Sequence, residues 1–273
     1  MGALLGSLTS LSIGLSDLFG RHVVNRRGAV VASVVVQAVS IVASAITLAF
    51  VSSELIGTDL AIGFVSGLGL GLGLWGYLSG LAVSSSAVVS PIVATMSAVF
   101  PYGYAIARGA EASAVSVIGA VIALAGLILV SFGGGPLANI SAGIRWSVIS
   151  GFGYGFGLSI IMEASESSGA WPAVTQRIAA LILMVVVASR TGTGFALLGV
   201  RVAGIAAGVF AAASTIFYLL GVQADPTPAV VTASMFPAVT VVIGRLVYRD
   251  SVSGVQVIGI AVALVGIVGV VAL

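Results

Sequence analysis

The chain has 273 residues, of which 59% are hydrophobic and 7% are charged, and its formal net charge is +2. A soluble protein has about 25% charged residues, so this composition excludes a water-exposed surface and indicates a polytopic membrane protein. Cysteine and lysine are both absent, which excludes disulfides, thiolate chemistry and a phosphate-binding Gly-x-x-x-x-Gly-Lys loop. The basic residues form no continuous face, so we expect no nucleic-acid partner, and no residue pattern indicates a metal or a cofactor.

Polar residues and glycine-rich or proline-rich segments divide the chain into ten apolar stretches, each near the roughly 20 residues that an α-helix needs to cross a bilayer. The first stretch has no basic leader and no clear cleavage site, so we expect it to be retained as a span. The connections are too short to hold a separate soluble domain. The predicted fold is therefore all-α, with transmembrane helices over 3–20, 29–51, 60–82, 87–107, 113–132, 144–162, 173–189, 202–222, 229–247 and 253–272.

The end of the chain repeats an earlier part of it. In each copy a Phe-Pro pair is followed by an arginine, an acidic residue and a Val-Ile-Gly segment. We therefore divide the chain into two five-helix repeats, 1–135 and 136–273. Because five is odd, the second repeat enters the membrane in the opposite direction, which gives an inverted repeat of the kind found in many secondary transporters. The matched positions are Phe100 with Phe236, Pro101 with Pro237, Gly119 with Gly259 and Gly126 with Gly266, and weaker matches pair Tyr77 with Tyr218 and Gly14 with Gly151.

The arginines are distributed unevenly between the two sides of the predicted bundle. Loops after even-numbered spans hold only Arg108, together with Glu54, Asp59 and Glu111. Positively charged loops stay in the cytoplasm, so we expect the odd-numbered loops inside a plasma membrane and both termini outside. The loops after odd-numbered spans hold Arg21, Arg26, Arg27, Arg145, Arg190, Arg201, Arg245 and Arg249.

Glycines are concentrated in the third and sixth spans. In the third span, Gly63, Gly67 and Gly71 lie on one helical face, and Gly69 and Gly73 lie on the neighbouring face. Small residues at this spacing let helix backbones approach closely in lipid. Glycine also makes a helix easier to bend, so the pattern is compatible with tight packing, with a deformable cavity wall, or with both.

Arg177 is the strongest candidate for a functional residue, because an ionisable side chain within a span is costly and needs a partner. It follows Gln176 near the start of the seventh span, and its counterpart in the second span is Gln37. A guanidinium beside an amide binds a carboxylate or a phosphate. The alternative is structural: Arg177 reaches the membrane surface or pairs with Glu163 or Glu166.

Three further groups are candidates. Asp17 is either a proton or cation site or the partner of Arg21, one turn later. Pro101 and Pro237 occupy matched places in the two repeats, where each permits a kink, so they are hinges or plain structural kinks. The aromatic residues that we predict to line a ligand cavity, unless they only pack or anchor the helices, are Trp75, Tyr77, Tyr154 and Tyr218.

The ten spans, the five-plus-five duplication and the Phe-Pro, acid, Ile-Gly pattern that closes each half resemble the drug/metabolite transporter superfamily, in its EamA-like branch. The Gly14–Gly20 segment and an arginine early in the seventh span, here Arg177, add to the resemblance, which covers essentially the whole chain. It implies a ten-helix transporter fold and does not identify a substrate. Two features depart from the pattern: Asp250 stands where glutamate is usual, and the first copy is shorter before Glu111. Family members are usually drawn with both termini in the cytoplasm, opposite to the arginine count.

We therefore predict a secondary transporter that moves a small metabolite, an amino acid or another amphipathic compound, by alternating access and in the export direction. A proton or cation is the expected coupling partner, and the protein is a monomer or a homodimer. The alternative is an integral-membrane enzyme or flippase acting on lipids or polyprenyl carriers. With one histidine, no cysteine and no paired acids within a span, an enzyme is disfavoured. A passive channel would need a selectivity ring formed by oligomerisation.

Overall fold

The computed structural model describes residues 1–84, 86–109, 113–131, 140–193, 200–233, 235–243, 246–247 and 253–271. Over these residues the chain forms helices joined by short turns, and none of them is in a β-strand. A short 3-10 helix, Glu166–Ser168, precedes α7. The α-helices are α1 (Gly2–Arg27), α2 (Ala29–Thr47), α3 (Gly57–Val83), α4 (Ser86–Ala107), α5 (Ala114–Ser131), α6 (Ile140–Ile161), α7 (Trp171–Thr191), α8 (Arg201–Ala224), α9 (Pro226–Ala233), α10 (Phe236–Ile243) and α11 (Gly254–Val271).

Each of the ten predicted segments is helical in the described residues, with two corrections. The first helix continues through the arginine-rich residues that we predicted to be a loop, and it ends at Gly28, whose φ is 84°. No helix breaker lies between Gly20 and Gly28, and arginine is a good helix former. The ninth segment forms two short helices, α9 and α10, in place of one. Pro237 lies in the first turn of α10, where a missing N–H costs nothing.

Five helices are long and apolar enough to cross a membrane, judged by length and composition. They are α1, α2, α3, α7 and α8, of 19 to 27 residues. At about 1.5 Å per residue, helices of 19 to 27 residues are roughly 28 to 40 Å long, so they approach or exceed the ~30 Å hydrocarbon core of a bilayer. The structure thus agrees with a membrane protein built from apolar helices.

The helices associate in pairs that correspond between residues 1–135 and 136–273. The helix α3 packs on α6 and α7, and its counterpart α8 packs on α1 and α2. The helix α4 packs on α6, as α9 and α10 pack on α1. The helix α5 packs on its own counterpart, α11, and α2 on its counterpart, α7. The main contacts thus recur when each helix is exchanged for its predicted counterpart, whereas the contacts of α1 with α2 and α3 have no equally strong counterpart among the described residues.

Glycines occupy the closest approaches of α3 to its neighbours. Gly63, Gly67 and Gly71 face the backbone of α7, and Gly69 faces α6, where an added Cβ would lie 2.7 Å from the carbonyl oxygen of Gly153. Hydroxyls on these helices donate across the α3–α6 interface: Ser66 Oγ to Gly157 O at 2.6 Å and Ser150 Oγ to Gly73 O at 2.7 Å. The packing interpretation of the two glycine faces is confirmed.

The contact between α5 and α11 uses matched residues of the two copies. A Cβ added at Gly126 would lie 2.7 Å from the Cα of Ala263, and one added at Gly266 would lie 2.6 Å from the Cα of Ala123. Because Gly126 matches Gly266 in the repeat, Ala123 matches Ala263 as well. At this contact the glycine of each predicted repeat therefore packs against the matching alanine of the other.

Candidate functional site

A cavity lies among the helices, and α1, α2, α3, α4, α6, α7, α8, α9 and α10 all contribute residues to its wall. Its empty volume is about 880 Å³, the opening included. Much of the wall is apolar, with Val36, Leu70, Leu74 and Phe236 among its residues. The polar residues in the wall include most of the side chains that the sequence singled out: Asp17, Tyr77, Tyr154, Gln176, Arg177 and Tyr218.

Arg177 lies about two turns into α7 and is only 3% exposed. Its Nη1 donates to Gln37 Oε1 at 3.2 Å, and its Nη2 donates to the carbonyl oxygen of Ala211 and to Thr215 Oγ1. All of these partners are neutral. No carboxylate of the described residues lies within 4.0 Å of the guanidinium. A buried cation is ordinarily paired with an anion, so Arg177 retains an uncompensated charge.

The structure brings Gln37 to Arg177 as the sequence suggested, although Gln37 does not itself line the cavity. The amide is fully buried. Its orientation follows from chemistry, because an arginine can only donate and so the amide oxygen must face it. The Nε2 of Gln37 is then left without a partner. Gln37 therefore supports the guanidinium from α2, behind the cavity wall.

Gln176 is held by a chain of hydrogen bonds from the neighbouring helices. Its Nε2 donates to Ser66 Oγ at 2.7 Å, and Ser66 Oγ donates to Gly157 O at 2.6 Å. A hydroxyl has one hydrogen, so Ser66 can only accept from Gln176. The amide nitrogen of Gln176 must therefore face Ser66, and its Oε1 is the atom left over. That oxygen is buried and has no partner.

Asp17 occupies another part of the cavity wall, and the predicted ion pair with Arg21 is not formed. Within the described residues, the Asp17 carboxylate accepts a hydrogen bond from Thr240 Oγ1 at 3.3 Å and interacts with the hydroxyl of Tyr77. Tyr77 OH also lies 3.2 Å from Ser90 Oγ. The carboxylate thus joins α1 to α3 and α10.

The remaining predicted residues divide into those that line the cavity and those that do not. Tyr154 and Tyr218 are in its wall, and Tyr218 OH donates to Leu158 O at 3.3 Å. Trp75 is not in the wall: it packs edge-on against Trp146, with ring centroids 5.1 Å apart. Trp75 and Tyr77 are two residues apart on α3, so they project about 200° from each other, and only one of them can face the cavity.

The two prolines proposed as a matched pair of hinges lie in different surroundings. Pro101 is inside the continuous helix α4 and contributes to the cavity wall. Pro237 lies in the first turn of α10, after the break that follows α9. The same Phe-Pro dipeptide thus occurs within a helix in one half and at a helix start in the other.

The structural alternative for Arg177, an ion pair with Glu163 or Glu166, is wrong. Glu163 instead accepts from Arg108 Nη2 at 2.7 Å and Nε at 2.9 Å, and from Tyr104 OH at 2.9 Å. Glu166 is exposed in the short 3-10 helix. The segment after α6 is also fixed by Asp59, which accepts from the backbone N of Ser165 at 3.2 Å. Glu163 and the buried Asp59 therefore hold the start of the connection between α6 and α7.

No family model matches this chain, and no curated protein matches it. Among solved structures, 27 chains match. One crystal structure, described only as that of a protein, has a TM-score of 0.72 and 16% sequence identity over 98% of this chain and 95% of its own. At this identity the likeness concerns the fold alone: this helical arrangement, over nearly its whole length, is one that occurs in nature.

Sequence reasoning missed the hydroxyl residues that support the polar side chains of the site. Thr215 holds Arg177, Ser66 holds Gln176, and Thr240 holds Asp17. For Thr215 a signal was present. Ala211, Thr215 and Tyr218 recur at the three- and four-residue spacing of one helical face, and all three line the cavity.

Proposed function

We propose that this chain is a secondary membrane transporter of ten spans, arranged as two inverted five-helix repeats, that exports a small amphipathic metabolite by alternating access. The observation that carries the proposal is the cavity between the two predicted repeats, where the buried Arg177 has no carboxylate partner among the residues that the structure describes. An ionisable group buried among apolar helices is costly and ordinarily serves function.

The exchange of helix contacts between the halves supports the inverted repeat. In transporters built this way the substrate site lies at the interface of the repeats. Here the cavity draws its wall from α1 to α4 of the first repeat and from α6 to α10 of the second. Alternating access would open this cavity to each side in turn as the halves rock against each other.

The transport proposal is tested by comparing the metabolites of cells and medium at matched membrane levels of wild type, Arg177→Leu and Arg108→Gln. Arg108 is 62% exposed, so its loss is the control for removing an arginine outside the cavity. A compound that moves into the medium with wild type and Arg108→Gln, and not with Arg177→Leu, supports the proposal. If no compound is redistributed by the wild type, and purified protein in liposomes moves none of the compounds offered, the proposal fails.

The proposed orientation, with both termini outside the plasma membrane, has its own test. Because the chain has no cysteine, single cysteines can be introduced at Ser167, after α6, and at Gly192, after α7. A membrane-impermeant thiol reagent added to intact cells should label Ser167→Cys and leave Gly192→Cys unlabelled until the membrane is opened. The reverse pattern would place both termini in the cytoplasm, and equal labelling would contradict a span between the two positions.

A further inference from the structure

Two buried polar atoms at the cavity, on consecutive residues of α7, have no hydrogen-bond partner in the described part of the chain. They are Arg177 Nε, an obligatory donor, and Gln176 Oε1, an acceptor. The other polar atoms of both side chains are bound by protein, and those bonds fix the orientation of the Gln176 amide. Two consecutive residues of the wall therefore carry one donor and one acceptor that no described residue satisfies. An unmade bond at a buried polar atom costs about 1–3 kcal/mol, so the pair calls for an explanation.

The charges of the cavity are unequally compensated. Asp17 accepts a hydrogen bond from Thr240 and lies near the hydroxyl of Tyr77, whereas the guanidinium of Arg177 meets only neutral groups among the described residues. A ligand that brings one negative charge to Arg177 would neutralise the buried cation. A cationic ligand would leave it unpaired and add a second positive charge to the same cavity.

We propose that the ligand of this cavity is an organic acid that carries a hydrogen-bond donor next to its acidic group, on an apolar body. An oxygen of the acidic group accepts from Arg177 Nε–H, and the adjacent hydroxyl or ammonium donates to Gln176 Oε1. The apolar body lies against the walls formed by Leu70, Leu74 and Phe236. Both polar atoms are shielded from water in this conformation, so they acquire a partner when the lining side chains move toward the ligand.

This inference rests on the proposed function only in treating the ligand as the transported substrate. The chemistry recognised at Arg177 is an acidic group, which a carboxylate or a phosphate ester can supply. Cations and compounds without an acidic group are excluded as preferred ligands.

Binding to purified protein in detergent tests the assignment with matched probes of one carbon skeleton. Leucate, the hydroxy acid related to leucine, has both the acid and the donor. Isocaproate has the acid alone, methyl leucate has the donor alone, isopentyl phosphate presents the other acidic group, and isopentylamine is the cation. We expect leucate to bind roughly 10- to 100-fold more tightly than its ester and about 2- to 10-fold more tightly than isocaproate, from the usual worth of charged and neutral hydrogen bonds.

Variants separate the two contacts. Arg177→Gln should abolish the preference for acid over ester, whereas Gln176→Leu should abolish the preference for leucate over isocaproate and keep the preference for acid over ester. Arg108→Gln should change neither. Where Arg177→Gln does not fold, Gln176→Leu still tests the paired recognition, because loss of folding cannot remove one preference and keep the other.

Equal binding of leucate and its ester, or no binding of any acid, overturns the inference, as does strongest binding of isopentylamine that Asp17→Asn removes. If isopentyl phosphate binds most tightly, the site still recognises an acidic group, and that group is a phosphate. The result is independent of transport. If acids bind but are not moved across the liposome membrane, the transport proposal fails and the binding site stands. If a cation is transported, the binding-site inference fails and the transport proposal stands.

Discussion

Replacing one glycine in the interface between α3 and α6 should separate the two helices. A Cβ added at Gly153 would lie 2.6 Å from the backbone N of Gly73 and 2.8 Å from the carbonyl oxygen of Gly69. Non-bonded carbon contacts are optimal at about 3.5–4.0 Å, so Gly153→Ala requires the helices to move apart by roughly 0.9 Å. Both obstacles are backbone atoms of α3, so no side-chain rotation can relieve the contact.

That displacement has an estimable effect on stability. It would stretch the cross-helix bonds of Ser66 and Ser150, now 2.6 and 2.7 Å, beyond the usual O–H···O range of about 2.5–3.0 Å. Overpacking typically costs about 1–3 kcal/mol and the weakened bonds add to it, whereas alanine gains about 1 kcal/mol over glycine in helix propensity. We therefore expect Gly153→Ala to lower the free energy of unfolding by about 1–3 kcal/mol.

The matched control is Gly103→Ala in α4, where nothing lies within 4 Å of the added Cβ. With no clash, only the propensity gain remains, so this variant should be as stable as wild type or more stable by up to about 1 kcal/mol. The assay is unfolding in mixed micelles by titration with dodecyl sulfate, followed by circular dichroism. If Gly153→Ala and Gly103→Ala unfold together, the close contact of α3 and α6 is not what the glycines provide.

Three smaller predictions concern other contacts. Gly126→Ala and Gly266→Ala should lower the unfolding midpoint by equal amounts in the same assay, because each added Cβ meets the matched residue of the other half at nearly the same distance. A large difference between the two midpoints would contradict the matched contact of α5 and α11. Arg108→Gln should cost less than about 1 kcal/mol of unfolding free energy, since it breaks an ion pair that is largely exposed. Thr240→Val should cost about 0.5–1.5 kcal/mol by removing a hydrogen bond to Asp17, a cost that should be smaller when measured in the Asp17→Leu background.

The helices could be predicted from the sequence because long apolar runs have few alternatives in a bilayer. The two glycine faces of α3 were also predictable, since a fixed helical period decides which glycines share a face. The residue at which α1 ends could not be predicted. Its last turn carries Arg26 and Arg27, which are exposed there. A helix can thus continue past the apolar run that identifies it.

The break in the ninth segment was unpredictable for a related reason. The Phe-Pro dipeptide is the same in α4 and at the start of α10, yet only the second copy stands at a helix start. The surroundings differ: α10 packs on α1, where Val239 lies against Gly14 and Thr240 binds Asp17. Local sequence permits a break at such a dipeptide, and tertiary contacts select whether it occurs.

The predicted duplication, and the differences between its two copies, would explain the unequal polar contacts of the site. Arg177 and Gln37 are 140 residues apart, the offset of the closing glycines of the repeat, and they touch across the interface of α2 and α7. By the Tyr77–Tyr218 match, Thr215 of α8 corresponds to Leu74 of α3. Thr215 supplies an acceptor to Arg177, whereas leucine supplies none to Gln37, whose Nε2 has no partner. The main packing contacts recur between the predicted repeats, as the alternating movement that we propose requires. The polar contacts do not recur: Arg177 faces the neutral Gln37, so the acidic group of the ligand that we propose would meet a cation on only one side of this contact.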